Sequence, residues 1–160
     1  MKKVFTGFII ASAVVYAFVL YYMLFRLVGR EMVVVSDEML KNFNYWNSIN
    51  FIPFKTIVEY ITTIIDGGIR GHALRNLFGN LLLLFPAGLY LPFFVQRTRK
   101  IGIYSLVVAA SIIVIEIIQL ATKSGSLDVD DFILNFAGAL IGLIVFTRTP
   151  LCRILELRAW

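Results

Sequence analysis

The sequence predicts an all-α integral membrane protein. Its four transmembrane helices form a bundle, with a short interfacial helix in the first extracytoplasmic connection. Three observations predict this. The 160 residues are 59% hydrophobic and only 16% charged, with mean hydropathy +0.85, more apolar than a soluble domain of this size needs. Four stretches come close to the roughly 20 apolar residues that cross a hydrocarbon core of about 30 Å. Basic residues cluster at alternate ends of those stretches, and acids and amides gather at the others.

The spans fall at about 4–25, 76–95, 101–122 and 128–147, within one domain covering 1–160. Val4–Phe25 and Asn76–Val95 carry no charge. Ile101–Thr122 carries Glu116 alone. Phe132–Thr147 is uncharged but short, so the acidic turn that starts at Asp128 is counted with the helix. The apolar run of the first span continues past Ala11-Ser12-Ala13 to Phe25, which favours an uncleaved anchor over a signal peptide.

Charge placement fixes an orientation. Lys2 and Lys3 precede span one, Arg97, Arg99 and Lys100 fill the break between spans two and three, and Arg148, Arg153 and Arg158 follow span four. By the positive-inside rule these segments and both termini are cytoplasmic. The net charge of +5 then serves topology and anionic headgroups, and nucleic acid is not expected as a partner because no basic face stands apart from the span ends. One cysteine, Cys152, excludes an internal disulfide.

The long connection 29–73 then lies outside. In it, Asn50-Phe51-Ile52-Pro53-Phe54 reads as a turn, because the residue before proline avoids the helical region. Ile57, Val58, Ile61, Ile64 and Ile65 recur at helical spacing until Gly67-Gly68 ends the pattern. A helix lying on the outer membrane surface fits this pattern, and so does one packed down onto the bundle. Pro86 is expected to kink span two. Gly138 and Gly142 form a small-xxx-small pair that lets another helix of the monomer approach closely.

The candidate functional residues collect at the outer ends of the spans. At about 100° per residue, Asp131, Asn135, Gly138 and Gly142 share one stripe of span four, with Asp128 at its edge and Asp130 turned away toward water or a headgroup. Glu116 and Gln119 share a face of span three, and Asn76 and Asn80 a face of span two. Polar groups facing lipid lack partners, so the three faces are expected to turn toward one another. Glu116, Asp128 and Asp131 are the candidate acid–base residues, because carboxylates brought together cannot all ionise cheaply. The same spacing suits a structural hydrogen-bond network, and Asp128-x-x-Asp131 also permits a divalent cation. Arg75 can meet a phosphate or carboxylate, or serve as an interfacial anchor. His72 is the only histidine, which excludes a two-histidine mechanism or a His-rich metal site. No Gly-rich phosphate loop or nucleophile elbow is present, and no cofactor is expected.

In order and spacing, several elements resemble the VanZ-like family of small bacterial membrane proteins. They are Asn50-x-Ile52-Pro53-Phe54, Asn76-x-x-x-Asn80 with Phe85-Pro86-x-Gly88, and Glu116-x-x-Gln119. The most specific is Asp128-Val129-Asp130-Asp131-Phe132-Ile133-Leu134-Asn135-x-x-Gly138-x-x-x-Gly142. Relatives commonly carry an arginine before this last motif, where this chain has Lys123-Ser124-Gly125-Ser126. The resemblance implies a multi-pass protein of the bacterial cytoplasmic membrane, tied in the founding member to lowered sensitivity to teicoplanin, a lipidated glycopeptide. Two functional readings follow from it. One is a non-catalytic protein acting at the outer leaflet on cell-envelope components. The other is a membrane enzyme acting on a lipid or lipid-linked wall precursor. On either reading the expected partners are membrane lipids, such a precursor or the glycopeptide, and Asn50, Arg75, Asn76, Asn80, Gln119 and Asn135 are the candidate ligand-binding residues beside the three carboxylates.

Overall fold

In the computed structural model, residues 2–27, 49–67, 70–122, 126–150 and 155 are described. Lys123 and most of the first connection lie outside them, as does the His72 side chain. Helix α1 spans Lys2–Tyr22 and continues as a π-helical turn, Met23–Leu27. Helix α2 is Lys55–Ile65, α3 is Arg70–Leu83 and α4 is Ala87–Phe94. After a short 3-10 turn at Gln96–Arg99 come α5, Ile101–Ala121, and α6, Val129–Arg148. Four helical stretches are long and apolar enough to cross a membrane: Val4–Phe25, Ala73–Phe94, Ile101–Ala121 and Val129–Arg148. The chain is a multi-pass membrane protein.

Pro86 does more than kink span two. It interrupts the helical hydrogen bonding, so α3 and α4 are separate helices joined by a tight turn. Through the break the bonds shorten to 3-10 type, with Phe85 N–H donating to Leu82 O at 3.3 Å and Ala87 N–H to Leu84 O at 3.1 Å. Leu83 O is thereby left without its usual helical donor. The Tyr16 hydroxyl from α1 supplies one at 2.9 Å, and its ring stacks on Tyr90 at 5.5 Å. A backbone group freed inside a bundle is satisfied by a neighbouring helix, as the bilayer requires.

Helix α6 is the central helix. A larger share of its residues is buried than in the other three spans, and α1 is the least buried of the four. Gly138 and Gly142 bring the α6 backbone against span two. A Cβ on Gly138 would overlap the Leu81 carbonyl, and one on Gly142 the Phe85 carbonyl. Gly88 answers from α4, where a Cβ would overlap the backbone of Ala139, Gly142 and Leu143. The small-residue pair therefore packs within the monomer. On its other side α6 meets α5 through Tyr104, Val108, Ile112, Ala139 and Leu143, with Leu84 of span two in the same core, and the Tyr104 hydroxyl donates to Ala139 O at 3.1 Å.

The two ends of the bundle differ. At one end Arg99 lies over the Phe146 ring at 5.7 Å and donates to Pro92 O at 3.0 Å, beside Ile9 and Phe93. At the other end a two-residue parallel bridge pairs Ile49 with Leu127 and Asn50 with Asp128. This bridge ties the first connection to the start of α6. Helix α2 follows it and packs on α3, where Asn76 donates to the Tyr60 hydroxyl at 2.7 Å. None of α2 is fully buried, and Val58, Ile61 and Ile65 stay exposed together with Phe51, Ile52 and Phe54.

Candidate functional site

The acidic end holds two polar assemblies with different characters. The first is a clip between the two connections. Asp128 is the N-cap of α6, with extended backbone at φ −125° and ψ 121°. It is not helical, so a helical wheel misplaces it. Its Oδ1 accepts from the Asp130 backbone N–H and from Asn50 Nδ2, both at 2.9 Å, and its Oδ2 accepts from Thr56 Oγ1 at 2.7 Å. Asn50 closes its own turn in addition, accepting from Ile52 N–H at 3.1 Å.

Asp130 corrects an expectation. Instead of turning to water or a headgroup, it is fully buried. Its Oδ1 accepts from Phe54 N–H at 2.6 Å, and its Oδ2 from Thr56 N–H at 2.7 Å and Ile57 N–H at 3.1 Å. These are N–H groups that begin α2, which has no side-chain cap of its own. A helix N-terminus attracts an anion through such N–H groups and its dipole. Phe54 precedes the helix in the left-handed region at φ 65°, a conformation that costs a non-glycine residue of order 1–3 kcal/mol. The Asp130 carboxylate holds the chain in it.

The second assembly is a cavity of about 40 Å³ between the spans. Asn80 from α3, Glu116 and Gln119 from α5, Asp131 and Asn135 from α6, and Ser126 supply its polar wall. Leu24, Leu84, Ile112 and Ile115 supply the apolar wall. Asn80 Nδ2 donates to Asp131 Oδ1 in a short contact. Asn135 Nδ2 donates to Asp131 O of its own helix at 2.9 Å, and Gln119 Nε2 donates to Leu24 O at 2.8 Å, from the π-helical turn. Among the described residues, two buried side-chain polar atoms have no hydrogen-bond partner, Glu116 Oε1 and Asn135 Oδ1. Both residues line this cavity. An unmet buried acceptor costs about 1–3 kcal/mol, so the pair calls for a donor.

The structure thus brings Glu116, Asp131, Asn80, Gln119 and Asn135 together, as their three helical faces predict. It places Asp128 and Asn50 in the clip instead, with both Asp128 oxygens engaged by protein donors. Asn76 pairs with Tyr60 of α2, and Arg75 is exposed. Sequence reasoning missed Thr56, Tyr60 and Ser126. It also missed the role of Asp130, although one signal was available: Pro53-Phe54-Lys55 opens an amphipathic helix with no capping side chain, so an acceptor must come from elsewhere.

No curated protein and no solved structure matches the chain. The family model for VanZ/LLP1 matches residues 13–153, a stretch that holds the clip, the cavity and all four spans apart from the first turns of span one. The chain belongs to the VanZ/LLP1 family.

Proposed function

We propose that the protein works in the bacterial cytoplasmic membrane with both termini cytoplasmic and the cavity facing the outer leaflet. There it acts on a cell-envelope component and lowers susceptibility to teicoplanin-type glycopeptides. The observation that carries this reading is that both unmet buried acceptors, Glu116 Oε1 and Asn135 Oδ1, belong to one polar cavity among apolar spans. Polar groups at that depth are costly and mark functional sites. Family membership supports an envelope role, and Arg97, Arg99 and Lys100 at the opposite end support the orientation.

A second reading rests on a specific feature. Glu116 and Asp131 line the same cavity from different helices, so a carboxylate pair is available for acid–base work on a lipid or lipid-linked wall precursor. Asp128 is not part of that pair, because its oxygens hold Asn50, Thr56 and the α6 N-terminus.

Teicoplanin challenge of a susceptible host tests the first reading. Expression of the chain is expected to raise the tolerated concentration over an empty vector. Glu116→Gln is expected to abolish the gain while accumulating equally in the membrane. No gain from the wild-type chain would overturn the resistance role. Incubating the purified protein with lipid-linked wall precursor and weighing the product by mass spectrometry separates the two readings. A mass change that needs both Glu116 and Asp131 supports the enzyme, and an unchanged precursor supports the non-catalytic role.

A further inference from the structure

We propose that the cavity binds a primary ammonium group carried on an alkyl stem, an inference that deepens the reading of this cavity as the functional site. The first argument is the polarity of what remains unpaired. Each amide on the wall already donates within the protein: Asn80 to Asp131 Oδ1, Asn135 to Asp131 O and Gln119 to Leu24 O. The two atoms left unmet, Glu116 Oε1 and Asn135 Oδ1, are acceptors only. Glu116 and Asn135 are each 8% exposed, so bulk water does not satisfy them. Two carboxyl groups, Glu116 and Asp131, share the same wall, and ionisation of either one gives it negative charge. A ligand that fits must bring N–H or O–H donors and positive charge.

The second argument separates an ammonium from a metal ion. Leu24, Leu84, Ile112 and Ile115 form the rest of the wall. A divalent cation asks for six or more oxygens around it, and this apolar half offers none. A primary ammonium asks for three acceptors on one side and tolerates methylenes on the other. Among the described residues, no three carboxylate, imidazole or thiol groups converge as metal ligands. The volume also fits. About 10–15 Å³ holds one water-sized group, so about 40 Å³ admits an ammonium and the start of its stem. Such a group comes either from an ethanolamine lipid headgroup or from a free or peptide-borne amine, and the chemistry of recognition is the same.

The test uses the full chain in nanodiscs of phosphatidylcholine, with thermal unfolding as the readout. Ethylammonium chloride is expected to raise the melting temperature in a saturable way, because a ligand that binds only the folded state stabilises it by mass action. Tetramethylammonium chloride at equal ionic strength carries the charge without N–H donors and is expected to give no rise. Glu116→Gln is expected to weaken the apparent affinity for ethylammonium by at least about tenfold, as loss of one partner of a buried charge pair does. An equal rise with tetramethylammonium, or no rise with ethylammonium, overturns the proposal. This comparison needs only the wild-type chain, so it stands even if the variant does not accumulate. Repeating the titration in phosphatidylethanolamine nanodiscs identifies the source. Weaker apparent binding there means the headgroup competes for the cavity, and unchanged binding means the natural ligand is a free or peptide-borne amine. Failure of ethylammonium to bind would remove this ligand class and leave the antibiotic-challenge result to judge the functional reading by itself.

Discussion

Asp130 and Asp131 are neighbours in sequence and serve opposite sides of α6. Asp130 accepts the N–H groups of Phe54, Thr56 and Ile57 and so anchors α2. Asp131 turns into the bundle, takes Asn80 and lines the cavity with Glu116. A single residue step, about 100° around the helix, thus separates a structural anion from a candidate functional one. The consequence is that the acidic motif cannot be treated as a unit. Substituting its members is expected to produce different failures.

Asp130→Ala leaves three part-buried backbone N–H groups, those of Phe54, Thr56 and Ile57, without their acceptor. Each such loss costs about 1–3 kcal/mol, and the losses are not additive because α2 can relax. The expected result is local. Hydrogen exchange should quicken across Lys55–Ile65, while the amides of α5 and α6 keep their protection. Asp131→Asn should leave α2 exchange unchanged. Equal protection of α2 in wild type and Asp130→Ala would show that the clip does not hold the helix.

The glycines of the bundle offer a matched pair. At Gly138 a methyl group would fall on the Leu81 carbonyl, whereas nothing lies within 4 Å of a Cβ at Gly79. Gly138→Ala is expected to push α6 off α3 and to destabilise by about 1–3 kcal/mol, the usual cost of forcing extra volume into a packed site. Gly79→Ala is expected to be neutral or stabilising by up to about 1 kcal/mol, since alanine is the better helix former. Thermal unfolding in detergent reads both. A Gly138→Ala variant as stable as wild type would contradict the close approach of the two helices.

Much of this arrangement was legible in the sequence. Length and hydropathy place the four spans, and a period of about 3.6 residues puts Glu116 with Gln119 and Asp131 with Asn135 on inward faces. What was not legible depended on non-helical backbone or on long-range partners. Asp128 was placed by a helical wheel that does not apply to its extended backbone. Asp130 was turned outward because nothing local shows that the N-terminus of α2 lies against it, across more than 70 residues of sequence. Pro86 announced a distortion, but a full break with Tyr16 filling the freed carbonyl depends on which helix packs beside it.

The proposed orientation predicts a labelling pattern. Glu59 on α2 and Arg97 in the basic turn are both exposed and lie at opposite ends of the bundle. In a background where Cys152 is serine, Glu59→Cys is expected to react with a membrane-impermeant maleimide added to intact cells. Arg97→Cys should react only after the membrane is opened. The reverse pattern would put the cavity on the cytoplasmic side and remove the outer leaflet from the proposal.

Asn135 separates stability from function most sharply. It looks like a member of a buried network, which would make Asn135→Leu destabilising. The geometry says otherwise. Its Nδ2 donates to the Asp131 carbonyl one turn earlier in the same helix, and its Oδ1 accepts nothing. The Asp131 carbonyl belongs to the helix's own backbone ladder, so losing the extra donor costs little. Replacing the unmet acceptor with an apolar group removes a desolvation cost of about 1–3 kcal/mol, offset by fitting a larger side chain beside Leu24 and Leu84. The expected outcome is a melting temperature equal to or slightly above wild type, together with loss of the ethylammonium response and of glycopeptide protection. A stable variant without function would place Asn135 in the ligand site. A clear fall in melting temperature would instead mean that Oδ1 has a structural partner in the working protein, and the cavity would then be a sealed polar network and not a binding site.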